Sequence, residues 1–453
     1  MNMKFSTLPL SSEMVKNLND LGYEEMTAIQ EKALPVILQK KDVIAQAKTG
    51  SGKTAAFGIG LLESLDVKKF RVQSLVLCPT RELADQVAKE LRRIARFKHN
   101  IKILILCGGE SFGKQLGSLS HQAHIIVGTP GRVLKHLNKE SLSLENLQTL
   151  VFDEADRMLD MGFIEEIQSV VAFAPKERQT LLFSATYDDE ILDISKEFQK
   201  DALSISTQEV EVSNDIEELF YKCEDKTDTL IKILSTYTPQ NVIIFTNTKI
   251  AAKELAENLQ KNKIDALAIH GDLEQYERND VLVQFANGSC PILVATDVAA
   301  RGLDIKELSM VVNYDLPHGQ ETYTHRIGRT GRAGAKGVAV SLYEIWENER
   351  ADEYQGESRE FLDAENLLKK EGFEMKPAFI TLVIEGGKKD KLRAGDILGA
   401  LTAGSDLSGD AIGKIDLYER QAYVAIQSKF VEIAEKKLKY GQIKKKKFSV
   451  WVL

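Results

Sequence analysis

Apolar residues fall along this chain in short runs separated by longer stretches of helical spacing. KDVIAQ, QSLVLCP, AHIIVGTP, TLVFDEAD and QTLLFSAT form one series of runs; NVIIFTNT, IDALAIHG, CPILVATD, LSMVVNYD and GVAVSLY form a second. Near-continuous apolar strands alternating with helices predict a parallel sheet covered on both faces. Two such series predict two α/β domains in tandem. Ligands of such sheets sit beyond the carboxyl ends of the strands, so chemistry is expected in the polar residues directly after each run.

Between the series, TQEVEVSND is polar and lacks helical periodicity. After Tyr343 an acidic segment, EIWENERADEYQGESREFLDAENLLKKEGFEMK, predicts at least one helix and then a connector. From Lys376 onward FITLVIE, IGKIDLYE, QAYVAIQ and KKFSVWVL read as four strands, with helices over about Lys391 to Thr402 and Lys429 to Tyr440. That order is βαββαβ. The expected division is 1–206, a linker 207–214, a second domain 215–345, an acidic connector 346–376 and a small domain 377–453.

Composition narrows the class. A chain of 453 residues, 43% apolar and 28% charged, is globular and large enough for two or three cores. Cys78, Cys107, Cys223 and Cys290 have no close paired spacing, which argues against a zinc site or disulfide framework and fits a reducing compartment. No apolar run approaches the ~18–20 residues needed to span a bilayer, and MNMKFSTLPLSSEM lacks an apolar run of signal-peptide length. A cytoplasmic protein without a membrane partner is expected, and nothing in the sequence points beyond a monomer. Charge is uneven: Lys376 to Leu453 hold 15 Lys and Arg against 9 Asp and Glu, so +6, which leaves −14 on the rest of a chain of net charge −8. A basic tail on an acidic body suggests a polyanion at the C-terminal end.

Two motifs carry the first domain's chemistry. AKTGSGKT, Ala47 to Thr54, follows an apolar strand and opens a helix, the context a phosphate loop requires, although Ala47 stands where glycine is usual. Thr49, Gly50, Ser51 and Gly52 would turn backbone N–H groups onto phosphate oxygens, helped by the helix N-terminus. Lys53 would add a charge at the outer phosphates, and Thr54 a hydroxyl for Mg²⁺. In VFDEAD, Val151 to Asp156, Asp153 would hold Mg²⁺ partly through water and Glu154 would polarise the attacking water. ATP and Mg²⁺ are the expected cofactors.

With these motifs in order, the sequence resembles a DEAD-box RNA helicase of superfamily two across about Phe5 to Gly334. The resemblance implies two tandem RecA-like domains. GYEEMTAIQ, Gly22 to Gln30, is similar to the family's Q motif, with Met26 and Ala28 where prolines are usual. Gln30 can pair with the adenine edge, and Tyr23 is placed near the base; Phe5 reads as core. PTRELA, Gly108–Gly109 and TPGR match the family's RNA-backbone contacts, implying roles for Pro79, Arg81, Gly109, Thr129 and Arg132. Ser184 and Thr186 match the motif coupling ATP to RNA. In the second domain FTNT (Phe245 to Thr248), Gln275 with Arg278, and ATDVAARGLDI match in turn. They imply RNA contacts for Arg278 and Thr296, and a ribose contact for Asp304.

HRIGRTGR, His325 to Arg332, puts three arginines into eight residues of an acidic body. By resemblance Arg329 and Arg332 are arginine fingers for the γ-phosphate, worth roughly 10³–10⁵ in rate, and His325 and Arg326 belong to the coupling network. ATP and single-stranded RNA would each favour a closed form and raise affinity for the other.

The tail pattern is similar to an RNA recognition (RRM-like) fold, yet Leu382 stands where a stacking aromatic is expected and the third strand offers Tyr423 alone. A narrower resemblance joins GGKKDKLRAGDILGALT and DAIGKIDLYERQAYVAI to the tails of the DbpA-type subfamily, which recognise a large-subunit ribosomal RNA hairpin near the peptidyl transferase centre. Lys388, Lys389, Lys391 and Arg393 suit phosphate contacts, and Lys444 to Lys447 form a second basic run. The resemblance implies an RNA helicase of large ribosomal subunit assembly whose partners are ribosomal RNA and pre-ribosomal particles. The alternatives are a general helicase of cold adaptation or RNA decay with a nonspecific tail, a non-enzymatic RNA clamp or scaffold, and a DNA-unwinding enzyme.

Overall fold

The computed structural model describes residues 3–47, 50–187, 189–207, 216–300, 308–331, 336–354, 359–368, 370–404 and 407–453. The chain forms two compact units, one built on the first sheet, the other on the second sheet together with the C-terminal sheet.

The first sheet has seven parallel strands: β1 (Val43–Gln46), β2 (Ser74–Leu77), β3 (Ile103–Leu106), β4 (Ile125–Gly128), β5 (Thr149–Asp153), β6 (Gln179–Ser184) and β7 (Leu203–Ser206). Their order is β3-β4-β2-β5-β6-β1-β7. Alternate residues serve opposite cores: Val43 and Ala45 face one helical layer, Ile44 the other; Val151 faces the first, Leu150 and Phe152 the second. This two-sided burial is why the strands read as apolar runs.

The second sheet holds β8 (Ile216–Lys222), β9 (Val242–Thr246), β10 (Ala266–Ile269), β11 (Ile292–Thr296), β12 (Met310–Asn313), β13 (Gly337–Tyr343) and β14 (Arg359–Asp363), all parallel, in the order β10-β11-β9-β12-β13-β8-β14. The acidic segment is therefore more than a connector. It holds a short helix, Asn348–Asp352, and supplies β14 as an edge strand beside β8. Arg359 pairs with Glu218 at 2.8 Å, and buried Glu347 pairs with Lys226 at 2.7 Å. Ala364, Phe373 and Met375 join the second domain's core.

The C-terminal sheet is antiparallel: β15 (Phe379–Ile384), β16 (Ile412–Leu417), β17 (Ala422–Gln427) and β18 (Val450–Val452), in the order β16-β17-β15-β18. Helices Ala394–Thr402 and Val431–Tyr440 pack on one face over Leu382, Ile384, Ala422 and Val424. The βαββαβ order stands, with each helix starting two or three residues later than expected.

Candidate nucleotide and RNA sites

The order of the first sheet separates two chemistries. β5, β6 and β1 are neighbours, so VFDEAD, Ser184-Ala185-Thr186 and the phosphate loop emerge side by side. The register sets Gln46 beside Ser184 and Asp153 beside Phe183. β3, β4 and β2 form the other half, and the residues assigned to RNA follow them.

Gly50 and Gly52 both have left-handed φ, +85° and +96°, and Gly52 caps the helix Lys53–Ser64. A side chain at Gly52 would also strike Gln30, since an added Cβ would lie 2.5 Å from Nε2. Gln30 Nε2 donates to the Gly52 carbonyl at 3.1 Å, and its Oε1 accepts from Thr27 N at 2.9 Å. The Q-motif amide is thus wired to the phosphate loop. Lys53 is buried and donates to the Ala47 carbonyl at 2.9 Å, while Thr54 sits partly buried in the first helical turn. Ser51 Oγ is buried without a hydrogen-bond partner. Thr49 lies outside the described residues. Tyr23 packs edge-on to Phe5, which is core; its hydroxyl bonds Glu90, and Arg93 lies over its ring.

Asp153 is buried at the end of β5. Burial pushes its carboxyl up to about 7; Lys53 opposes this, while Glu154 and Asp156 add to it. An arriving cation would favour the charged form of such a carboxyl. Glu154 is held at φ +57°, and its Oε2 has no hydrogen-bond donor although Arg157 Nε lies 3.4 Å away. An undonated carboxylate oxygen, an orphan hydroxyl and a lysine beside a glycine turn fit a Mg²⁺–nucleotide.

Asp156 was not among the expected site residues. Its Oδ2 accepts from Ala185 N at 2.9 Å, and its Oδ1 from Arg157 N at 3.0 Å. Gln46 Nε2 reaches the Ala185 carbonyl at 3.3 Å, and Thr186 N donates to Ser184 Oγ at 3.3 Å. One carboxylate therefore ties the acidic motif to the coupling motif. Its signal was present, as the last residue of VFDEAD.

On the other half of the sheet, Pro79 is buried and Thr80 caps the helix carrying Arg81. The Arg81 guanidinium lies across Gly108 and Gly109; a Cβ on Gly109 (φ +77°) would fall 1.5 Å from Nη1. With the guanidinium in this place there is no room for a Cβ at Gly109. Arg132 donates to the Glu110 carbonyl at 3.0 Å and to Gln115 Oε1 at 2.7 Å. Thr129, partly exposed, precedes the helix Pro130–Asn138, and its N–H bonds the Leu106 carbonyl at 3.1 Å. The structure brings Arg81, Gly109, Thr129 and Arg132 to one end of β3, β4 and β2.

In the second domain β11, β9 and β12 are adjacent, and Arg326 binds their ends together. Its guanidinium donates to both oxygens of Asp297 (2.7 Å each), to Asn247 (2.9 Å), to Asn313 (3.2 Å) and to the Asp315 carbonyl (2.7 Å). It also lies over the Phe245 ring. With all five donors engaged, Arg326 is the hub of the motif cluster. His325 sits partly exposed in the last turn of the helix Gln320–Ile327, and Arg329 is buried. Thr296 ends β11, and Arg278 reaches the carbonyls of His270 (3.3 Å) and Ala299 (3.5 Å). Asp304 and Arg332 lie outside the described residues.

In the tail, Lys388, Lys389, Lys391 and Arg393 are exposed. Lys388 N and Lys389 N bond the carbonyls of Tyr418 and Glu419 at 2.9 Å, fixing their loop against the β16–β17 turn. Lys444 Nζ donates to the Lys391 carbonyl at 3.0 Å. The two basic runs, distant in sequence, therefore meet. Tyr423 is buried, with its hydroxyl on Asp280, so it offers no stacking face.

Three family models match the chain in succession. Residues 27–194 match the DEAD/DEAH box helicase family, 225–334 the helicase conserved C-terminal domain and 381–452 the DbpA RNA binding domain. The chain is 50% identical over 462 aligned positions, 99% of both chains, to the ATP-dependent RNA helicase DbpA of Escherichia coli. It is 47% identical to the DEAD-box ATP-dependent RNA helicase CshA of Geobacillus kaustophilus, over 75% of this chain and 73% of that one. Among solved structures, S. cerevisiae Dbp5 bound to RNA and ADP BeF3 aligns with a TM-score of 0.71 and 34% identity, covering 80% of this chain and 96% of that one.

Proposed function

Because the chain belongs to the DEAD-box family of ATP-dependent RNA helicases, in the group carrying a DbpA RNA-binding domain, we propose that it separates short RNA duplexes during large ribosomal subunit assembly, addressed by its tail to a ribosomal RNA hairpin. ATP and Mg²⁺ are its cofactors. The observation that carries the address is the hydrogen bond from Lys444 to the Lys391 carbonyl, which sets the start of the second lysine run beside the loop bearing exposed Lys388, Lys389, Lys391 and Arg393. A fixed patch of this kind suits a folded phosphate backbone, whereas a nonspecific anchor needs no folded domain. The protein acts as a monomer in the cytoplasm.

In this reading Gln30 selects adenine, and Thr49 to Gly52 with Lys53 hold the phosphates. Thr54 and Asp153 would hold Mg²⁺, partly through water, and the ion would supply charge neutralisation at the phosphates. Glu154 takes a proton from the attacking water. Asp304 orients the ribose, and Arg329 and Arg332 stabilise charge on the departing phosphate. Arg81, Gly109, Thr129 and Arg132 grip RNA from one domain, Arg278 and Thr296 from the other. Asp156, Ser184, Thr186, His325 and Arg326 transmit between ligands.

The test is steady-state Mg²⁺-ATP hydrolysis at fixed salt, comparing a fragment with the peptidyl-transferase-centre hairpin against equal masses of unrelated RNA. Selective stimulation, lost when Lys388, Lys389, Lys391 and Arg393 are changed together to glutamine, is expected. Equal stimulation by every RNA would leave a general helicase with a nonspecific tail. Glu154→Gln should bind ATP and RNA normally while hydrolysis falls by about 10²–10⁴-fold.

A further inference from the structure

The helix Gln275–Ala286 carries two sets of residues with different destinations. Its first turn bears Arg278, one of the RNA-gripping residues above. Half a turn further, Asp280 Oδ1 accepts from the Tyr423 hydroxyl at 2.8 Å. Val283, buried, packs with Val383, Tyr423 and Leu453 of the tail. Just past the helix end, Asn287 Nδ2 donates to Thr381 Oγ1 at 2.8 Å, and that hydroxyl donates to Ser289 Oγ at 2.8 Å. Ser289 N closes the network on Asn287 Oδ1 at 3.1 Å.

The tail residues in this contact lie on one face of one sheet. β15 and β17 are its two central strands, and their register pairs Val383 with Tyr423 and Thr381 with Ala425. Leu382, Ile384, Ala422 and Val424 point the other way, into the tail's own core. The face opposite the tail's helices therefore docks on the helicase domain through Thr381, Val383 and Tyr423. Asn287, Ser289 and Thr381 are all buried and mutually satisfied. A sliding or rotated contact would leave buried polar groups unpaired, so the network selects one orientation. From Arg278 to Asn287 the rise is only about 14 Å, at ~1.5 Å per residue. A rigid helix thus sets the distance between the core's RNA grip and the tail.

Resting on the reading that the tail is the RNA address, we propose that this helix is the ruler of that address. Asp280, Val283 and Asn287, with Thr381, Val383 and Tyr423, are positioning residues that fix which duplex, at what spacing from the tail-bound hairpin, is presented to the helicase core. A tail held only by its chain connection would still raise the local RNA concentration, but over a broad range of positions. The docked tail restricts the range.

The experiment uses the full chain and hairpin RNAs carrying a labelled reporter duplex at several distances on either side. Wild type should unwind the best-placed duplex about tenfold faster than the worst. Val283→Glu, which sets a charge in the apolar contact, should bind the hairpin with a Kd within about twofold of wild type yet flatten the spacing profile. Asp280→Asn keeps an acceptor for the Tyr423 hydroxyl and should keep the profile; Asp280→Lys should lose it. Amide hydrogen exchange in β15 and β17 distinguishes undocking from unfolding: undocking leaves strand protection in place. A spacing preference that survives Val283→Glu with the tail demonstrably undocked overturns the proposal while leaving the address intact. A wild type that does not prefer the hairpin at all sinks the address and, with it, the ruler.

Discussion

Asp153 gives the sharpest quantitative test. It is a buried acid beside two further carboxylates, and its proton affinity rises from an ordinary 3.8 to about 7. The sign follows from which state ionises first. Well below the unfolded value of 3.8 both folded and unfolded chains hold the proton, and Asp153 costs nothing. As pH rises toward 7 the unfolded chain releases its proton first, so native stability falls; above the native value the loss is complete. Each tenfold in proton affinity is worth about 1.4 kcal/mol, so the full cost is roughly 4 kcal/mol, of which some 2–3 kcal/mol accrues between pH 5 and pH 8. Asp153→Asn mimics the protonated acid at every pH. In ligand-free protein with a chelator present, the variant should therefore exceed wild type in stability by a margin that widens by ~2–3 kcal/mol from pH 5 to pH 8. For a unit of about 200 residues that is roughly 5–10 °C in the calorimetric Tm of the transition that includes β5. Adding Mg²⁺-ATP should reverse the ranking at pH 8, because only the carboxylate gains from the cation. A stability gap that stays constant with pH would refute the reasoning, since it would mean Lys53 already compensates the charge without metal.

Three other outcomes follow from single contacts. Gly109→Ala strains a left-handed position and expels the Arg81 guanidinium; single-stranded RNA binding should weaken, and the slope of log K against log salt should fall by about 0.7, the contribution of one phosphate contact. Arg326→Lys empties most of a five-donor hub and leaves Asp297, Asn247 and Asn313 underpaired; hydrogen exchange at β9, β11 and β12 should report a loss of about 3–5 kcal/mol in the second domain. Asp156→Ala removes the acceptor for Ala185 N; RNA and a non-hydrolysable ATP analogue should each still bind, but the affinity of one should no longer depend on the other, as titration of each ligand with and without its partner would show.

What the sequence made legible depended on how much of a signal was local. The apolar runs announced ten of the fourteen strands in the two parallel sheets because both faces of those strands are buried. β3 and β7 also went unread, and β8 and β14 escaped notice because acids break their runs. In IEELFYK and REFLD apolar residues are interrupted by acids, and only tertiary pairing with β13 and each other makes strands of them. The acidic segment therefore read as a connector although its Phe361 and Leu362 already alternated between faces. Phosphate-loop and carboxylate residues were legible because their chemistry demands fixed residue types at fixed spacing. Asp156 was quoted within its motif but given no role, since its partner is a backbone N–H 29 residues away, and no pattern of side chains records that.

The same distinction explains the tail. Its strand order could be read, and Tyr423 was recognised as the only aromatic its third strand offers. That loneliness looked like a weakened version of a stacking platform. The contacts give Tyr423 a different role: its ring packs with Val383 and Val283, and its hydroxyl donates to Asp280. Once the sheet face is committed to docking, nucleic acid has to be met by the loops, and there the two lysine runs converge. The buried tyrosine and the lysines at Lys388 to Lys391 and Lys444 to Lys447 are then one feature rather than two. Both follow from turning the sheet inward, and the fold exchanges a surface that reads bases for one that fixes the distance at which the core works.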